Sequence, residues 1–174
     1  AGAVAAKILK ELGIQICTYT RSIGSIEIDM EHFSAEEIEK NAFYMPDAEA
    51  AERAGAYVQE CMKAQDSCGG VVECVVKGVP AGVGDPCFDK LSANLAKSIC
   101  SIGAVKGFEI GDGCDVAKAT GRTNNDAFRI KNDGTVVKST NHAGGILGGM
   151  SDGSEILLRA SIKPTPSIAA TQQT

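Results

Sequence analysis

Lys163-Pro164-Thr165-Pro166-Ser167 gathers an ammonium, two hydroxyls and two backbone amides into five residues. The prolines fix φ at about −65° at 164 and 166, so the amides of Thr165 and Ser167 are held in place. Such a rigid donor set suits an anion, because much of the ordering entropy is lost before binding. A strand exit stopped by prolines is the alternative. A second stretch, NHAGGILGGMSDG from Asn141 to Gly153, carries five glycines in thirteen residues. Glycine weakens a strand by about 0.5–1 kcal/mol relative to alanine. The pairs Gly144-Gly145 and Gly148-Gly149 therefore call for left-handed dihedrals or for something approaching the bare backbone. Ser151-Asp152-Gly153-Ser154 reads as a hairpin turn between Ile146-Leu147 and Ile156-Leu157.

Other chemistries find less support. The glycines are not followed by Gly-Lys-Ser/Thr, as a phosphate-binding loop requires, and no G-x-G-x-x-G links a strand to a helix. No Ser/His/Asp spacing, zinc motif or paired-carboxylate signature stands out. His32 follows an acidic run and reads as a surface residue, whereas His142 is a loop residue beside the glycines. Strand alternation puts Arg159 and Lys163 on one face, a small basic focus in an acidic chain. The seven cysteines form an odd set without a C-x-x-C and read as structural thiols of a reducing compartment.

The elements that must position these residues follow from periodicity. AGAVAAKILKELG starts inside a helix, with Val4, Ile8 and Leu12 on one stripe. Ile14 to Ile28 alternates as one strand interrupted around Ser22 to Ser25. Ser34 and Glu37 make a capping box for a short helix ending before Pro46. A long helix begins at Pro46-Asp47, with Ala51, Ala54, Val58 and Cys61 on one face, and ends at Gly69-Gly70. Residues 71–76 are a strand apolar on both faces. Phe88, Leu91, Leu95 and Ile99 mark a helix from Asp85-Pro86, and AVKGFEIGDG is a strand. Residues 126–140 form a hairpin turning at Asn132-Asp133-Gly134, and Ile156 to Ile162 is the last strand. This pattern predicts an α+β fold, a sandwich of mainly antiparallel sheet layers and helices, in a single core domain over 1–174.

The chain has 174 residues, a net charge of −5 and 44% hydrophobic residues. No basic cluster is interleaved with aromatics, so no nucleic-acid partner is expected. No apolar run reaches the roughly 18 residues that span a bilayer, so no membrane partner is expected either. Both termini read as cuts in a longer parent protein.

GGVVECVVKGVPAGVGDPCFDKL, SICSIGAVKGFEIGDG, TNHAGGILGGMSDG and ASIKPTPSI strongly resemble chorismate synthases, in the same order and with similar spacing. The resemblance covers essentially the whole chain but about half of such an enzyme. The family's Gly-Glu-Ser-His-Gly motif, its second histidine region and its Gly-Arg-His-Asp-Pro segment are not in the sequence. The resemblance implies a homotetrameric, cytoplasmic or plastidic enzyme of the shikimate pathway that eliminates phosphate from 5-enolpyruvylshikimate 3-phosphate. Reduced FMN is required, without net redox change. It also implies that Gly103, Ala104, Gly148, Lys163, Pro164, Thr165, Pro166 and Ser167 contact the flavin. Gly103 stands where relatives often have Asn or Pro, so only its backbone contributes. Tyr44-Met45 stands where Arg-Cys is common. The family's acid–base histidines are neither His32 nor His142, so no catalytic residue is assigned within 1–174 and the isolated chain is expected to be inactive. A stand-alone flavin- or phosphate-binding module and a purely assembly-forming domain are the other readings.

Overall fold

The structure, a computed structural model, describes residues 2–173. Its helices there are α1 (Gly2–Glu11), α2 (Ala48–Lys63) and α3 (Leu91–Cys100). The strands are β1 (Gln15–Ile23), β2 (Ile26–Glu27), β3 (Gly70–Lys77), β4 (Val105–Ile110), β5 (Phe128–Ile130), β6 (Val136–Lys138), β7 (Ile146–Leu147), β8 (Met150–Ser151) and β9 (Ile156–Ile162). One sheet runs in the order β2-β1-β3-β9-β4, and β5-β6 and β7-β8 are two-stranded. The β1-β2, β5-β6 and β7-β8 pairs are antiparallel. The fold class is α+β, as the alternation of helical and strand periods predicts. The chain divides into two compact units. One comprises residues 1–17, 74–101 and 108–159, the other residues 18–73, 102–107 and 160–174.

The second unit is built around α2. Burial pushes the Asp47 carboxyl up, but the N–H groups of Asp29, Ala50 and Glu49 outweigh it and hold the group below its usual range. Asp47 is the N-cap: its side chain accepts from Glu49 and Ala50 at 3.0 and 3.1 Å, which starts the helix. Ala50, Ala51 and Ala54 are buried with Tyr19, Ile28, Ile38, Met45 and Val105. The rings of Tyr19 and Phe33 meet edge-on at 5.1 Å. Three expectations are corrected here. The interrupted strand is a hairpin, β1 turning at Gly24 into β2, because the chain reverses instead of bulging. The Ser34 capping box makes no side-chain cap bond, and only a single 3-10 turn forms at 35–37. Helix α2 stops at Lys63 rather than at Gly69-Gly70, because Gln65 takes φ +58° and closes the helix itself. Met45, a flexible thioether, is fully buried in this core.

β3 also departs from the expected apolar strand. Its buried residue is Glu73, which accepts hydrogen bonds from the Tyr19 hydroxyl and from Arg21 Nη1, the latter at 3.0 Å. A buried carboxylate persists only when paired in this way.

In the first unit, α1 stops at Glu11 and the chain turns away at Gly13 (φ +80°), where the Gly13 and Ile14 amides donate to the carbonyls of Lys10 and Leu9. Its stripe of Val4, Ile8 and Leu12 is exposed rather than buried. Helix α3 starts at Leu91, not near Asp85. Phe88 has φ +52° and lies outside the helix, and the Leu91 amide is taken by the carbonyl of Gly149. The buried apolar side chains of this unit include Ile156 and Leu158 on β9.

Candidate functional site

The second unit positions Lys163 to Ser167. Where β9 ends, the Lys163 amide donates to the carbonyl of Ala104 at 2.9 Å, which brings the segment beside the start of β4. Ala104 itself has φ +69°, a left-handed conformation that few side chains adopt, and an added Cβ on Gly103 would meet nothing within 4 Å. The segment is then pinned by its carbonyls. Ser67 Oγ donates to the Thr165 carbonyl at 2.6 Å, and the Pro166 carbonyl accepts from Gln172 Nε2 at 2.7 Å and from the Ile168 amide at 3.1 Å. With the carbonyls occupied, the amides of Thr165 and Ser167 and the Lys163 ammonium make no hydrogen bond or ion pair among the described residues. Asp66, Ser67, Lys163, Thr165, Pro166 and Gln172 help wall a cleft of about 290 Å³. Every residue from 163 to 167 is exposed.

Gly148 belongs to the first unit. Gly148 and Gly149 form the two-residue turn joining β7 to β8, with φ +59° and +93°, the positive pair that a tight hairpin of this twist requires. The hairpin turn thus lies at 148–149 and not at Ser151–Ser154. Residues 152–154 close a side-chain turn instead, Asp152 Oδ1 accepting from the Ser154 amide at 2.8 Å. Three of the four paired glycines are needed by the protein's own backbone. A Cβ on Gly145 would lie 2.5 Å from the Glu155 carbonyl, one on Gly144 would strike the backbone of Gly111, and one on Gly149 that of Asp85. Gly148 differs: it is exposed, and a Cβ there would meet nothing within 4 Å.

The glycine stretch is held at both ends by groups that sequence reasoning missed. Lys138 Nζ lies 3.3 Å from Asp126 Oδ2 and 2.7 Å from Asp152 Oδ2, with the three side chains 3%, 6% and 10% exposed. Asp126 also accepts from Thr140 Oγ1 at 2.7 Å and from the amides of His142 and Ala143 at 2.8 and 3.0 Å. Burial pushes its carboxyl up, but these donors and Lys138 hold it far below the usual range. His142 Nδ1 lies 2.6 Å from Asp112 Oδ2, which orients the ring. Arg159 Nη1 donates to the Gly111 carbonyl at 2.8 Å, so its guanidinium fixes the backbone beside His142. Arg159 and Lys163 fall in different units. The partners of Lys138 are 12 and 14 residues away in sequence, a spacing with no helical or strand signature that could reveal them.

The donors at 163–167 and the open backbone at Gly103 can receive an anionic or carbonyl-rich planar ligand. The cleft, at the lower end of the roughly 300–1,000 Å³ of ligand pockets, takes only part of a mononucleotide.

A family model described as chorismate synthase matches residues 1–174. A chorismate synthase of Agathobacter rectalis is 63% identical over 174 residues, covering all of this chain and 47% of that protein. One of Methanosarcina barkeri is 46% identical over 175 residues, covering 99% of this chain and 48% of that protein. A crystal structure of chorismate synthase superposes with a TM-score of 0.86 at 30% identity, covering 94% of this chain and 53% of the other. The chain spans about half the length of the curated relatives it matches. With the match running from the first residue to the last, the chain belongs to the chorismate synthase family.

Proposed function

We propose that these residues are the core of a chorismate synthase, a carbon–oxygen lyase that removes phosphate from 5-enolpyruvylshikimate 3-phosphate in the shikimate route to aromatic amino acids. The family match over the whole chain carries this reading. The enzyme is a cytoplasmic homotetramer that works with reduced FMN. When bound, the flavin supplies electron density to a reaction that has no net redox change.

This chain's residues bind and orient. Lys163 offers an ammonium that pairs with none of the described residues, and the amides of Thr165 and Ser167 stay available because Ser67 and Gln172 occupy the neighbouring carbonyls. Pro164 and Pro166 keep the five residues ordered before the ligand arrives. Gly103, Ala104 and Gly148 present backbone, Gly148 from the open side of its turn. Both donors and open glycine backbone fit the polar edge or phosphate of a flavin. Proton transfer falls to groups outside 1–174, so the 174 residues alone form no chorismate.

A charge-assisted hydrogen bond is worth about 1.5–3 kcal/mol, so Lys163→Met is expected to weaken FMN binding by the full-length protein about 10- to 150-fold, with an unchanged urea midpoint. Flavin fluorescence titration measures it. Equal affinity in the variant overturns the flavin assignment at 163–167, and chorismate formation by the 174-residue chain with reduced FMN overturns its expected inactivity.

A further inference from the structure

Helix α2 ends in a backbone reversal with a chemical consequence. The Asp66 amide donates to the Cys61 carbonyl at 2.9 Å and the Gln65 amide to that of Met62 at 3.0 Å, with Gln65 left-handed. This bond pair turns the chain back against the last turns of the helix. There Cys68 comes back beside Cys61 and shares a cleft wall with Val58, and the hydroxyl of Tyr57, one turn earlier on α2, is the other neighbour of Cys61. Both cysteines are half-buried free thiols. Cys68 also lines a largely apolar cleft of about 300 Å³ with Thr20, Ile23, Phe43 and Val58, which gives small molecules a route to the sulfur. Two neighbouring cysteines across a tight reversal are placed to approach the short Cβ–Cβ separation that a disulfide requires.

We propose that Cys61 and Cys68 are an oxidisable dithiol that closes to an intramolecular disulfide when hydrogen peroxide enters the Cys68 cleft. One thiolate attacks a peroxide oxygen, the O–O bond breaks, hydroxide leaves and a sulfenic acid forms. The second thiolate attacks that sulfur, forming the S–S bond and expelling hydroxide. Two thiols and one peroxide give one disulfide and two waters, the sulfurs oxidised and the peroxide oxygens reduced. Burial, followed by the neighbouring Cys61, pushes the Cys68 thiol up, so closure accelerates as pH rises.

The bond staples the loop between α2 and β3, and that loop touches the donor segment. Ser67, beside Cys68, holds the Thr165 carbonyl at 2.6 Å, and a Cβ on Gly69 would sit 2.5 Å from the Ile162 carbonyl and 3.2 Å from Pro164 Cδ. Oxidation therefore fixes one wall of the Lys163 cleft to the end of α2.

The test treats the full-length protein with hydrogen peroxide, blocks remaining thiols under denaturing conditions and maps tryptic peptides by mass. Trypsin cuts after Lys63, so the bond joins peptides 54–63 and 64–77 with a loss of about 2 Da that dithiothreitol reverses. The joined fraction is expected to form faster at higher pH. Because peptide 64–77 also contains Cys74, Cys68→Ser should abolish the joined species and Cys74→Ser should leave it, with urea midpoints confirming that each variant folds. Unjoined peptides in the wild type, joining through Cys74 in Cys68→Ser, or oxidation that stops at sulfenic or sulfinic acid each overturn the proposal.

Discussion

Replacing Lys138 with methionine keeps the length of a side chain that is 3% exposed and deletes its charge. Asp126 and Asp152, 6% and 10% exposed, would then share a buried site without their cation. Removing one partner of a buried ion pair costs about 3–5 kcal/mol, because the remaining charge is left desolvated and uncompensated. The two carboxylates are not equally exposed to that loss. Asp126 retains the Thr140 hydroxyl and the amides of His142 and Ala143, whereas among the described residues Asp152 keeps donors from Ser154 alone. The low end, about 3 kcal/mol, is therefore expected. At an m-value of roughly 2 kcal/mol/M this moves the urea midpoint down by about 1.5 M. The triple variant Lys138→Met, Asp126→Asn, Asp152→Asn removes the buried charge altogether and should recover most of the loss. Acid titration gives the second check. For both carboxyls burial acts upward, and the donors, led by Thr140 at Asp126 and by Lys138 at Asp152, bring the folded-state value below the usual range. A carboxyl depressed by folding adds stability that is complete above its unfolded value, about 3.9, and is lost as pH falls toward the folded value. The triple variant should thus lose less stability than the wild type below about pH 4. A Lys138→Met midpoint within about 0.5 kcal/mol of wild type, or a triple variant no more stable than the single, would refute the reasoning.

Two further perturbations separate positions that look alike in sequence. Gly145→Ala should cost more than Gly148→Ala in urea denaturation: both are left-handed, but only at 145 would the methyl lie 2.5 Å from a backbone carbonyl. At 148 the cost should stay near the roughly 1–2 kcal/mol of a non-glycine residue in that conformation, while flavin affinity, read by fluorescence, should fall. Asp47→Ala removes an N-cap and also strands the Asp29 amide, which Asp47 Oδ2 accepts at 2.9 Å. The combined loss is about 2–4 kcal/mol by thermal or urea unfolding, and Asp47→Ser, which can still cap, should lose less.

What could be read from the sequence is what repeats along it. Strand and helix periods locate α1, α2, β4, β9 and the β5-β6 hairpin, because the pattern that signals each repeats within a few residues. The errors sit where a distant group decides. Nothing in VVECVV announces that Glu73 is its buried residue, since its partners Tyr19, a hydroxyl donor, and Arg21, a cation, lie 54 and 52 residues away. The glycine pair suggests a stop for α2 at 69–70, but Gln65 accepts the left-handed conformation itself and ends the helix earlier.

The glycine stretch shows why counting a residue type does not identify a site. Four paired glycines asked either for left-handed dihedrals or for an approaching ligand. The structure gives all four positive φ, and at three of them the approaching group is the chain's own backbone. A functional reading of the motif as a whole would therefore assign mostly structural residues to a ligand. Only Gly148 keeps an open side, and it owes its place to a turn held between Asp126, Lys138 and Asp152, residues that touch no glycine pair in sequence. Whether such a turn can serve a cofactor depends on how rigidly its two ends are tied. If Gly148 meets the flavin as proposed, the buried lysine and its two carboxylates, which tie the ends of the stretch, matter to that contact as much as the glycine at the tip.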